Sequence, residues 1–93
     1  MLLLQSLWGW NGSLESASSR ASTHGFDGLE CNVVHSCLQV IDAAEVRQLL
    51  GKRRQALILE ITTGGSYTPN LADGPEQHLE QLEALLSRAM AME

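Results

Sequence analysis

Ninety-three residues, 44% of them apolar, are enough for one small core and describe a single folded unit spanning 1–93. Six basic against eleven acidic side chains leave a formal charge of -5, and the cations gather only at Lys52-Arg53-Arg54. That balance argues against nucleic acid, which is held through clustered Lys and Arg. Leu2-Leu3-Leu4 is too short and lacks the basic flank for a signal peptide or a membrane span, so the expectation is a cytoplasmic chain with no membrane partner.

Leu2 to Trp10 is nearly continuous in apolar residues and reads as a first, buried strand of a parallel sheet. Gly9, Asn11 and Gly12 end it, and Ser13 stands where an N-cap belongs, before a helix over Leu14 to Thr23. Leu14, Ala17 and Ala21 form its apolar positions. Ser16, Ser18, Ser19 and Ser22 make it a poor helix by propensity, so packing must hold it. Gly25 suits the left-handed residue that closes such a helix, and Asp27-Gly28 turns the chain.

A second strand follows over Leu29 to Val34, with Leu29, Cys31 and Val33 on one face and Glu30, Asn32 and Val34 on the other. A carboxylate and an amide sharing a strand face are costly to bury without partners. Val34 to Ile41 has no clear period and reads as a loop. In the run Cys31 to Cys37, the residues Cys31, His35 and Cys37 could be taken as three soft zinc ligands, but the spacing matches no finger pattern and no fourth ligand is evident. The cysteines read as reduced, small apolar residues.

Asp42-Ala-Ala-Glu45 has capping-box spacing, and Val46, Leu49 and Leu50 supply the i, i+3, i+4 stripe of a second helix, with Gly51 near its end. The cations at 52–54 then complement the carbonyl end of its dipole. Ala56 to Thr62 is the third strand, with Leu57, Leu59 and Ile61 facing one way and Ala56, Ile58, Glu60 and Thr62 the other. Residues 63–67 read as a turn, in which Gly64-Gly65 is a weak candidate for cradling phosphate. Pro75 opens a last helix with Glu76 near its positive dipole end, and Leu79, Leu82, Leu85, Leu86 and Met90 form its apolar stripe.

The order is βαβαβα. It implies an α/β fold with three parallel strands in order 1-2-3, joined by right-handed crossovers. All three helices would then cover one sheet face, leaving Glu30, Asn32, Ile58, Glu60 and, with them, Ser6 and Trp8 on the other. Such a face suits the inside of a closed barrel. A small flavodoxin-like module is the competing arrangement, and would need a reversed strand order and helices on both faces.

Ser6-Leu7-Trp8-Gly9-Trp10, His24-Gly25-Phe26-Asp27-Gly28-Leu29-Glu30, Glu60-Ile61-Thr62-Thr63-Gly64-Gly65 and Pro75-Glu76-Gln77-His78-Leu79 resemble the N-terminal part of xylose isomerase-like TIM barrels, the sugar phosphate isomerase/epimerase superfamily. The resemblance implies a partial (β/α)8 barrel, three of eight units of a fold that runs to about 250 residues. It implies a carbohydrate or sugar phosphate as substrate, and a divalent metal (Mn, Mg, Zn or Co) for the complete barrel, held by later strands. It assigns no metal ligand and no catalytic residue within this chain. Carried onto these residues, it implies substrate contacts from Trp8 as an apolar wall and from Glu30, Asn32, Glu60 and Thr62. The isolated chain would then be inactive. The alternative for Glu30 and Glu60 is a pair of solvated or paired strand carboxylates; Trp10 fits the core, and Trp8 fits core and pocket equally. His24 and His78 fall at helix ends, away from the polar face. Open strand edges raise a different function, a non-catalytic chain that self-associates or complements another partial barrel.

Overall fold

The computed structural model describes residues 1–63 and 74–93. The Gly64-Gly65 phosphate-cradle reading lies outside them. Three strands, β1 (Leu4–Ser6), β2 (Gly28–Asn32) and β3 (Ala56–Glu60), form one open parallel sheet in the order β1-β2-β3. Helices α1 (Leu14–Thr23), α2 (Ser36–Gln39), α3 (Ala43–Lys52) and α4 (Pro75–Met92) complete the fold.

The register matches Ser6 with Glu30, Glu30 with Ile58, and Asn32 with Glu60. Partners across a parallel ladder point to the same side. Leu29, Cys31 and Val33, on the opposite side, are buried in one cluster with Leu14, Ala17 and Ala21 of α1, Val46 and Leu50 of α3, and Ala89 and Met92 of α4. The three long helices therefore cover a single face, and Ile58 and Glu60 on the other face are exposed. That excludes the flavodoxin-like alternative, which needs both faces covered.

The helix ends follow their sequence signals. Ser13 Oγ accepts from the Ser16 amide at 3.1 Å and Asp42 Oδ1 from the Glu45 amide at 2.9 Å, satisfying donors that a first turn leaves orphaned. Gly25 sits at φ +81°. Its amide donates to Ser22 and the Phe26 amide to Ala21 at 2.9 Å, the paired closure of a Schellman motif. At the end of α3 the same closure recurs, with the Arg54 amide on Gly51 and the Gln55 amide on Leu50. Here the left-handed position, φ +52°, is held by Arg54. At α4, Pro75 takes the first turn and Gln77 Oε1 accepts from the Gly74 amide.

Four expectations need correcting. The first strand is short: the ladder ends as the Leu7 amide reaches Glu30 O, and Gly9 at φ +79° turns the chain away. Because β1 is an edge strand, Leu2 and Leu3 are exposed rather than buried. Residues 34–41 are not all loop, since Ser36–Gln39 form α2, capped by the His35 side chain. On α4, finally, the buried residues are Ala89 and Met92, with Leu85 packed against the core, whereas Leu79, Leu82, Leu86 and Met90 stay exposed.

The serine-rich α1 is held as its composition required, by packing and by one polar seam. Ser18 is fully buried; its hydroxyl donates to Gln55 Oε1 and accepts from Arg53, and its carbonyl accepts from Gln55 Nε2 at 2.9 Å. Arg53 also pairs with Glu15 at 2.8 Å, and this hydrogen bond holds the Glu15 carboxyl below its ordinary range.

Candidate functional site

The uncovered sheet face is defined by how closely β2 and β3 approach. Gly28 makes that approach possible: a Cβ built there would lie 2.1 Å from the Ala56 carbonyl oxygen. Asp27 sets the other side, its carboxylate accepting from the Leu3 amide at 2.7 Å while its own carbonyl accepts from the Ala56 amide at 3.0 Å. The Gly-Phe-Asp-Gly stretch thus closes α1, starts β2 and ties β2 to both neighbours before the chain reaches Glu30.

Glu30, in the middle of β2, and Glu60, the last residue of β3, stand diagonally across one ladder on the open face. Hydrogen bonding to the Glu60 side chain, then desolvation, then repulsion from the Glu60 charge raise the Glu30 carboxyl above its ordinary value. Two neighbouring carboxyls can hold substrate hydroxyls, and raising one of them can separate acid from base.

Asn32 and Thr62 are also brought together. Asn32 is buried, its Nδ2 donating to Thr62 Oγ1 and its Oδ1 accepting from the Val34 amide, both at 3.0 Å. One of these bonds braces the turn leaving β2, and the other ties Asn32 to the segment leaving β3. Trp8 lies apart from these four. It is 76% exposed and lines a cleft of about 420 Å³ together with Gly9, Trp10, Asn11, His35 and Ser36, past the ends of β1 and β2. Trp10, packed against the core, donates from its indole to Ser13 O at 3.1 Å and lies 5.9 Å beneath the Arg20 guanidinium.

His35 is a structural tie. Its Nδ1 accepts from the Cys37 amide at 3.1 Å, so Nε2 carries the proton and donates to Leu7 O at 3.0 Å. Both ring nitrogens are used, and no lone pair remains for a metal. Cys31 and Cys37 are free and buried, and burial pushes the Cys31 thiol up to about 12. His78, expected away from the polar face, is bonded through Nδ1 to Thr63 Oγ1, just beyond the end of β3. His35 joins two strand ends in a way no local pattern announces, since its partner Leu7 is 28 residues away.

The resemblance placed its metal on later strands and gave this chain no ligand. Among the described residues no group of three or more His, Cys, Asp or Glu is placed to hold an ion, so no step through a metal follows from these side chains. No described helix is long and apolar enough to cross a membrane. Compared with protein-family models, curated proteins and solved structures, the chain matches none.

Proposed function

We propose that residues 1–93 supply the first three βα units of a xylose isomerase-like (β/α)8 barrel, and that their open face forms one wall of a carbohydrate or sugar-phosphate site. The observation that carries this reading is the Glu30–Glu60 pair, two carboxyls on adjacent strands of a face that no described helix covers. In barrels of this type the chemistry gathers at the C-terminal ends of the strands, and Asn32 and Glu60 are the last residues of β2 and β3. Glu30 and Glu60 would accept hydrogen bonds from sugar hydroxyls. Thr62, oriented by Asn32, would add a hydroxyl beside them, whereas Trp8, expected as an apolar wall, lines the cleft past the ends of β1 and β2 and stays outside this group. With three of eight units the site is one wall only, and the chain by itself turns over no aldose or ketose.

The test is an NMR titration of the 93-residue chain with aldoses, ketoses and their phosphates. Shifts confined to residues near Glu30, Asn32, Glu60 and Thr62, abolished by Glu30→Gln with Glu60→Gln, support the reading. Shifts elsewhere, or none, refute the site; isomerisation by the isolated chain with added manganese or magnesium refutes its incompleteness. A second reading has one observation in its favour. Among the described residues no strand pairs with the outer edge of β3, which has neither Pro nor Lys in Ala56–Glu60, and such an edge can pair with another chain. Light scattering separates the two, since a stable monomer excludes association through that edge.

A further inference from the structure

Helix α4 packs on the body through one flank only. Ala89 and Met92 are buried, Leu85 joins the core, Arg88 donates to the Leu38 and Ile41 carbonyls, and the Ala91 carbonyl accepts from Arg47 of α3. Leu79, Leu82 and Leu86 lie about a third of a turn around the helix from the buried residues, and Met90 extends the row. They are 55%, 41%, 46% and 69% exposed. The spacing 79, 82, 86 is that of the a and d seam of a paired helix.

Charge decides what can cover this seam. On its outer side run Glu76, Glu80 and Glu83, all exposed. Among the described residues no cation forms an ion pair with them: the pair there is Arg53 with Glu15, while Arg88 and Arg47 bond carbonyls, Arg20 lies over Trp10, and Lys52 and Arg54 stand at the end of α3. A second copy would bring a like acidic rim against this one, on a chain whose net charge is already -5, and like charges at such contacts are disfavoured. We infer that the exposed face of α4 is a docking surface for an amphipathic helix of another chain, one that presents an apolar stripe flanked by Lys or Arg. The apolar seam supplies affinity, and the acidic rim selects the partner's sign. None of the α4 residues lies on the open sheet face, so this inference and the carbohydrate site are tested on different residues.

The probe is a synthetic helical peptide of about three heptads with Leu at a and d and Lys at e and g, compared with a counterpart bearing Glu at e and g. Binding to the 93-residue chain is followed by fluorescence anisotropy. The Lys peptide is expected to bind at least about tenfold more tightly than the Glu peptide, and to weaken with salt. Glu76→Lys with Glu83→Lys should remove that preference. Leu82→Asp with Leu86→Asp should weaken the Lys peptide by at least about tenfold, although it adds two negative charges; Leu82→Ala with Leu86→Ala, which keeps helix propensity, guards against loss of fold. Equal binding of the Lys peptide to the Asp variant would mean unspecific attraction to an acidic surface and would overturn the inference. So would a chain dimer that Leu82→Asp with Leu86→Asp dissociates, or an unchanged preference after the Glu→Lys exchanges.

Discussion

Replacing Gly28 by alanine tests the feature that brings the two carboxyls together. The added Cβ would stand 2.1 Å from the Ala56 oxygen and 2.7 Å from the Ala56 carbon and nitrogen, whereas ordinary contact begins at 3.4 Å, a shortfall of 1.3 Å. All three atoms are backbone, so no side chain can swing aside, and β2 must separate from β3 along a five-residue register. Overpacking of this kind costs roughly 1–3 kcal/mol. The restricted unfolded chain returns about 0.4–1 kcal/mol, leaving a net loss of roughly 1 kcal/mol. With a urea m-value of about 1–3 kcal/mol/M for a small domain, the unfolding midpoint should fall by roughly 0.6 M. Gly25→Ala is the control. It meets open space but keeps φ +81°, so its cost is the roughly 1–2 kcal/mol of a left-handed L-residue. Carboxyl NMR distinguishes the two further, because only Gly28→Ala should return Glu30 towards its ordinary titration. A midpoint shift below about 0.3 M for Gly28→Ala, or an unchanged Glu30, would show that the strand approach does not depend on this glycine.

Two further outcomes follow from the same geometry. Glu30 binds its proton more tightly in the folded chain than at its ordinary value of 4.5, so stability is greatest below that value and falls as pH rises through the raised one. Glu60→Gln should remove that fall, making the chain more stable at neutral pH and no more stable in acid; urea titrations at both ends of the range check it, and an equal effect at both pH values would contradict the pairing. Arg54→Gly should stabilise by up to about 1 kcal/mol, because it relieves a left-handed arginine while preserving both closing hydrogen bonds of α3. A loss in thermal or urea unfolding would show that the Arg54 side chain does more than occupy the turn.

What could be read from the residues alone was whatever a few neighbours decide. Ser13, Gly25 and Asp42 mark helix ends because capping involves amides within three or four positions. Alternation placed Glu30 and Glu60 on the same kind of face, and three βα repeats set the parallel order. Packing against distant partners decided the remainder. His35 caps residues 36–39 through one ring nitrogen while the other bonds Leu7 across 28 positions. Asn32 found Thr62, on the segment leaving β3. The leucine row of α4 shows the limit most plainly. Periodicity identifies an apolar side of a helix but does not say which flank the body will take, and Arg88 and Arg47, reaching carbonyls of α2, of the segment after it and of α4 itself, turned Ala89 and Met92 inward instead. Local hydrogen bonding sets where elements begin and end; which surface stays bare is fixed only when the elements compete for the same core.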